Sequence, residues 1–215
     1  MNHDVLTIHG PHPPAAPAHP IVLGCALETV LAGERPLLVE ATANQVNQFG
    51  GYSGRTPAQF ITYVGELARQ AGLPQDRLRV GADHLGPHVW KTEPAQSAMR
   101  KAEALACQCV AAGFHKIHLD TGTGCADDAG RQLPVAEAAR RAARLCRAAE
   151  AARPDPGDAH GPLYVIGNEV PPPGGALEEG EAPAVTDPRQ MLADLDVYRQ
   201  AFDQAGVSAA WPRVM

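Results

Sequence analysis

Residues 78–87 read LRVGADHLGP, an apolar run that leads directly into two ionisable residues. Its apolar start, Leu78–Ala82, has the character of a short buried β-strand, and the ionisable pair Asp83-His84 follows at once. Three further predicted strands also end at or just before ionisable residues: Pro36–Glu40, Lys116–Asp120 and Leu163–Ile166. Because buried charges are costly unless they are paired or bound to metal, we expect the four strand ends to share one polar cavity.

The intervals between these strands predict repeated βα units. Strands start near residues 37, 78, 116 and 163, and a fifth is expected at Trp211. Each interval is long enough for one strand and one crossover helix, which makes the sheet parallel. Either an open doubly wound sheet or a barrel fits this order. No Gly-x-Gly-x-x-Gly follows the first strand, which disfavours a dinucleotide-binding sheet, and polar strand ends are typical of barrel active sites.

The sequence is therefore predicted to form an α/β fold of the (β/α)8 TIM-barrel type, incomplete, with about five of the eight units present. Helical apolar stripes lie between the strands. One helix is expected to open at Thr56-Pro57, and Gly72, Gly113 and Gly206 are expected to close three helices. Residues 1–18 are predicted to be a Pro- and His-rich arm, and residues 19–215 a partial barrel domain.

Composition excludes several classes of function. The formal net charge is −6, and no block of Lys and Arg offers the basic surface that nucleic-acid binding needs. No apolar run approaches the roughly 20 residues of a membrane span. The five cysteines include no Cys-x-x-Cys pair, which argues against a disulfide framework or a zinc knuckle. We expect a cytoplasmic protein.

A long polar loop follows the first predicted strand. It begins at Glu40 and reads EATANQVNQFGGYSG to residue 54. Its amides are suited to binding hydroxyl groups, as in a sugar, because they offer both donors and acceptors. The alternative is a solvated loop without a ligand. The predicted substrate-binding residues here are Glu40, Asn44, Gln45, Asn47 and Gln48.

The other strand ends suggest metal or acid–base chemistry. Adjacent strand residues point to opposite faces, so only one of Asp83 and His84 is expected to face the barrel interior unless the strand has already ended. They can serve as a proton-transfer carboxylate and a metal ligand, or Asp83 can simply hold a loop. His118 and Asp120 share one face and are expected to meet this pair as substrate-binding residues. Glu169 sits on a Pro-stiffened loop as a second catalytic carboxylate.

At these residues the chain resembles the non-catalytic, or Z-type, subunit of class II D-tagatose-1,6-bisphosphate aldolase. The resemblance covers about His19 to Val214, nearly the whole chain. It rests on four stretches: EATANQVNQFGGY from Glu40, GADHLGP from Gly81, GFHKIHLD from Gly113 and VIGNEVPPPGG from Val165. Full members are about twice as long, so the chain resembles the N-terminal half of such a protein. The last strand is then expected to leave an unpaired apolar edge.

The resemblance implies specific roles for a few residues. Class II aldolases carry a His-x-Asp-His strand end, in which the last His binds zinc and the Asp handles protons. These two map to His84 and Asp83, whereas the first His of the pattern is Gly81 here. Glu169 resembles a metal-associated Glu of the same superfamily. The other zinc histidines lie on later strands that this chain does not contain.

Three functional hypotheses remain open. The leading one is an accessory subunit that binds a separate catalytic aldolase subunit in tagatose 6-phosphate, galactitol or N-acetylgalactosamine catabolism. The alternative is a metal-dependent ketose 4-epimerase or class II aldolase-like enzyme, acting on a sugar that is free or phosphorylated, with a divalent metal such as zinc. The third is a remnant without chemistry of its own.

Overall fold

The computed structural model describes residues 15–16, 19–130, 132–155, 161–167 and 187–215. The strands are β1 (Leu37–Thr42), β2 (Leu78–Leu85), β3 (Lys116–Asp120) and β4 (Leu163–Gly167). The helices are α1 (Pro20–Leu31), α2 (Pro57–Ala71), α3 (Ala95–Ala111), α4 (Val135–Ala151) and α5 (Pro188–Gln204). Short 3-10 helices span Gln75–Arg77, Pro87–Trp90 and Ser208–Arg213. None of the helices in these ranges is long and apolar enough to cross a membrane.

The four strands form one parallel sheet in the order β1-β2-β3-β4. Alternate strand residues, including Val39, Val80 and Ile117, are fully buried in a core shared with the helices. The other face carries mainly polar side chains. A parallel sheet with a helix after each strand confirms the predicted α/β fold, and its order matches part of a (β/α)8 barrel.

Both edges of the sheet have a partial neighbour. Ala15 forms a parallel bridge with Val39, and its N–H donates to Leu38 O at 3.0 Å. At the other edge Val214 forms a parallel bridge with Tyr164. The predicted strand start at Trp211 is wrong, because Trp211 lies in the Ser208–Arg213 helix and only Val214 bridges. The edge at β4 is therefore partly paired rather than bare.

Helix α1 was not expected from the sequence. His19 caps it through a 3.3 Å hydrogen bond from Ile21 N–H to the imidazole, and Pro20 occupies its first turn. The helix buries a stripe with helical spacing, formed by Leu23, Leu27 and Val30. Histidine is an unusual N-cap residue. Apolar residues on the exposed side of the helix also obscure the helical periodicity in the sequence.

A buried arginine fixes the loop that connects β3 to α4. Arg141 is 5% exposed and donates to both carboxylate oxygens of Asp128, at 3.0 and 2.7 Å. It also donates to Glu137 at 2.7 Å. Asp128 in turn accepts the Cys125 N–H at 2.6 Å. The hydrogen bonds from Arg141 hold the pKa of Asp128 below its ordinary value. This clamp sets the path of the chain just after Asp120.

The Arg141 clamp predicts an acid-sensitive loss of stability. A carboxyl whose pKa is lowered by folding stabilises the protein above its unfolded pKa, and this contribution is lost as pH falls through the folded pKa. We expect Asp128→Asn to lower the free energy of unfolding by about 1–3 kcal/mol at pH 7, because it removes a charged hydrogen-bond partner. The difference from the wild type should shrink as pH falls below about 4.

Urea unfolding of both proteins across this pH range measures the effect. The matched control is Asp76→Asn at an exposed site, which should change stability by less than about 0.5 kcal/mol. A deficit for Asp128→Asn that persists unchanged in acid would contradict the electrostatic account of the clamp.

Candidate functional site

A bulge in β2 brings Asp83 and His84 to the same side of the sheet. Ala82 pairs with Ile117 and Leu85 pairs with Leu119, so β2 has one more residue than β3 between these pairs. His84 takes up the extra length with a φ of +52°, which is uncommon for any residue except glycine. The expectation that only one of the two side chains could face the interior is therefore wrong.

The bulge assembles what we call the His–Asp cluster, formed by Asp83, His84, His118 and Asp120. His118 Nδ1 lies 2.6 Å from Asp83 Oδ1, and His84 Nδ1 lies 2.9 Å from Asp120 Oδ2. His84 Nε2 lies 3.4 Å from Asp83 Oδ2. The two imidazole ring centres are 5.0 Å apart. The predicted meeting of the His118/Asp120 face with Asp83-His84 is thus confirmed.

Opposite charges in the cluster stabilise one another. Burial favours the neutral form of Asp83, but the His118 hydrogen bond and nearby positive charges outweigh burial and keep the pKa of this carboxyl below its ordinary value. The hydrogen bond to Asp120 raises the pKa of His84, and burial opposes that shift only in part. Asp83 is therefore ionised at neutral pH, which suits it to bind a cation, whereas its lowered pKa makes it a weaker proton acceptor.

Glu40 lies on the polar face of the sheet and is already paired with Lys116. Its Oε1 lies 2.5 Å from Lys116 Nζ, and the two side chains are 10% and 15% exposed. The pair fits because Gly81 has no side chain: a Cβ there would lie 3.1 Å from Glu40 Oε1 and 3.2 Å from its Cγ. Gly81 is the position where the class II aldolase pattern has its first histidine. The Glu40–Lys116 ion pair therefore lies against the backbone where that imidazole would start.

The amides of the β1–α2 loop mostly hold the loop itself. Gln45 and Asn47 are buried, and each bonds backbone groups at two or more points. Gln48 Nε2 donates to Lys101 O at 3.0 Å and ties the loop to α3. Asn44 alone among the four predicted amides is exposed. The predicted substrate-binding roles of these residues remain predictions.

Two residues near the cluster were not anticipated. His88, in the Pro87–Trp90 helix, is half-buried, and burial lowers its pKa while the field of Asp120 opposes that shift. Tyr198 on α5 is 2% exposed, and its hydroxyl lies close to Thr121, the residue that follows Asp120. The position of His88, just after a strand end, could have indicated it. No sequence feature near Tyr198 indicates that it lies close to the cluster, because α5 follows β4 in the chain, whereas the cluster is formed by β2 and β3.

The predicted catalytic residue Glu169 lies outside the described residues, as does the Pro-rich loop around it. The structure therefore brings together Asp83, His84, His118 and Asp120. Glu40 is paired with Lys116, which lies on the same strand as His118 and Asp120.

One group in the described chain has the composition and spacing of a metal site. Asp83, His84 and His118 each offer a ligand atom, and these atoms all lie within 4.8 Å of one another. Two imidazoles and a carboxylate suit borderline cations such as zinc. The residues present therefore fit a divalent metal, although they are not the three histidines of class II aldolases.

Comparison with known proteins identifies the family of the chain. A family model described as D-tagatose-1,6-bisphosphate aldolase subunit GatZ/KbaZ-like matches residues 13–215. The chain is also similar to a crystal structure of a "probable tagatose 6 phosphate kinase" from Sinorhizobium meliloti 1021, with 41% identity and a TM-score of 0.82. That similarity covers 95% of this chain but 47% of the other, so the chain spans less than half of that protein's length. The chain belongs to the GatZ/KbaZ-like family of D-tagatose-1,6-bisphosphate aldolase subunits.

Proposed function

We propose that this chain is an accessory, non-catalytic subunit of tagatose-1,6-bisphosphate aldolase. It would bind a separate catalytic subunit and support that subunit's stability and activity in the cytoplasmic breakdown of tagatose 6-phosphate, galactitol or N-acetylgalactosamine. The family match over residues 13–215 carries this proposal. We also infer that residues 19–215 are the N-terminal portion of a barrel domain, preceded by an arm at residues 1–18.

The described site supports an accessory role. Class II aldolases bind zinc through three histidines, and Gly81 occupies the place where their strand pattern begins. Here the Glu40–Lys116 ion pair lies against Gly81, so the described site departs from the class II aldolase pattern at its first position. Among the described residues the resemblance maps one zinc histidine of a class II aldolase, His84, and the Lewis acid of aldol cleavage in those enzymes is held by three.

An accessory role predicts that the chain contributes to aldolase activity only when it is combined with a catalytic subunit. The purified chain should not cleave tagatose 1,6-bisphosphate, because its cluster of Asp83, His84 and His118 is not the three-histidine zinc set of a class II aldolase. Added to the class II tagatose-1,6-bisphosphate aldolase subunit from the same genome, it should raise the cleavage rate or extend the half-life of activity on heating. The effect should saturate at a fixed molar ratio. A coupled assay that follows triose phosphate measures both quantities.

Serum albumin at equal mass is the control for non-specific protection. Cleavage by the chain alone would overturn the accessory role. So would a catalytic subunit whose rate and half-life are the same with and without the chain.

One observation favours the second candidate, a metal-dependent ketose 4-epimerase or class II aldolase-like enzyme. Asp83 is ionised, bonded to His118 and placed beside His84. A carboxylate held in this way can accept a proton from a bound sugar, and His84 can hold a cation that polarises the sugar oxygens. Glu169, the predicted partner carboxylate, would supply the second proton-transfer group.

The epimerase candidate predicts conversion of tagatose to fructose, or of their 6-phosphates, in the presence of zinc or manganese. Chromatography of the sugars measures the product. Asp83→Asn should lower the rate by at least about 100-fold, because it removes the proton acceptor. The exposed control, Asp196→Asn, should leave the rate unchanged. Absence of product from the wild-type chain with every cation tested would eliminate this candidate.

A further inference from the structure

We propose that Asp83, His84 and His118 together bind one divalent cation of the zinc class, with Asp120 orienting His84 from behind. The ligand set differs from the three zinc histidines of class II aldolases, because it comes from two adjacent strands of this chain alone. It uses the same cluster as the epimerase candidate. Cation binding is measured without sugar or partner, so it can be observed even if the epimerase assay fails, and the accessory role does not depend on it.

The spacing of the ligand atoms supports a tetrahedral ion. Zinc–nitrogen and zinc–oxygen bonds of about 2.0–2.2 Å at a tetrahedral angle place two ligand atoms about 3.4 Å apart. His84 Nε2 and Asp83 Oδ2 are 3.4 Å apart. All three ligand atoms fall within 4.8 Å of one another, so the widest pair exceeds the tetrahedral spacing by at most about 1.4 Å.

Asp120 orients the His84 imidazole for metal binding. The Nδ1–H of a metal-binding histidine usually donates to a carboxylate or carbonyl, which fixes the ring and makes the other nitrogen a better ligand. His84 Nδ1 is bonded to Asp120 Oδ2 at 2.9 Å, and Asp120 is buried. The remaining nitrogen, Nε2, is the one that lies near Asp83.

The local charge also favours a cation. Asp83 and Asp120 bring two carboxylates into the cluster, and the nearest lysine, Lys116, is paired with Glu40 at 2.5 Å. His118 Nδ1 lies 2.6 Å from Asp83 Oδ1. A cation bound by both side chains would replace this hydrogen bond and widen the contact to the spacing of two tetrahedral ligands.

The backbone and the exposure of the site fit a binding role. The strained φ of His84 and the β2 bulge are needed to turn both Asp83 and His84 toward His118. The His84 side chain is 37% exposed, so a cation can enter from solvent. Three protein ligands leave one tetrahedral position open, as in catalytic rather than structural zinc sites.

The test is titration of the chelator-treated chain with Co²⁺, followed by its visible absorption, and with Zn²⁺ by calorimetry. We expect one equivalent to bind. His84→Asn, His118→Asn and Asp83→Asn should each weaken binding by more than about 100-fold, and Asp120→Asn by about 10- to 100-fold. His88→Asn, which alters a nearby imidazole outside the set, and His19→Asn, at a remote helix cap, should bind normally.

Failure of the wild-type chain to bind one equivalent would overturn the proposal, as would normal binding by His118→Asn. Equal loss in His88→Asn would overturn the ligand set. Where a variant does not fold, imidazole NMR of the wild type decides the matter. Co²⁺ should broaden the His84 and His118 signals first and spare the His19 and His115 signals, and the reverse order would refute the site.

Discussion

The carboxylate of Asp83, held between the imidazoles of His118 and His84, is the contact on which the rest of this site depends. In a regular strand Asp83 and His84 would point to opposite faces. The bulge in β2 removes that restriction and leaves His84 with a left-handed backbone that costs about 1–3 kcal/mol. The hydrogen bonds from His118 to Asp83 and from His84 to Asp120 offset this strain.

The sheet has two chemically different faces, and the His–Asp cluster lies on the polar one. On the helix side, residues such as Val39 and Ile117 form an aliphatic core. On the opposite side, charges are neutralised in neighbouring groups, first between Glu40 and Lys116 and then within the His–Asp cluster. A barrel interior is normally filled with branched apolar side chains. A polar inner face therefore indicates that this part of the chain is arranged around a site.

Sequence reasoning predicted the elements that local patterns determine. The β3 strand, Lys116–Asp120, was predicted with its observed bounds, and α2 begins at Pro57 and ends before Gly72 as expected. The shared face of His118 and Asp120 also followed from strand periodicity. The structure met these expectations because a buried parallel strand and an amphipathic helix both leave a regular apolar pattern.

Features that depend on contacts between elements escaped the sequence analysis. The β2 bulge is defined by its register against β3, which no pattern within residues 78–85 reveals. The buried amides of Gln45 and Asn47 look like binding groups in sequence, and only their bonds to the loop backbone show what they hold. Tyr198 reaches the neighbourhood of Asp120 from α5, so sequence distance hides it.

The most direct test of this account is a double-mutant cycle between Asp83 and His118. Urea unfolding of Asp83→Asn, His118→Asn, the double variant and the wild type in metal-free buffer at pH 7 gives the coupling energy of the two side chains. The coupling is expected to be at least about 1 kcal/mol, within the range found for residues in contact. Effects that add to within about 0.5 kcal/mol would mean that the contact does not hold β2 against β3, and would contradict it.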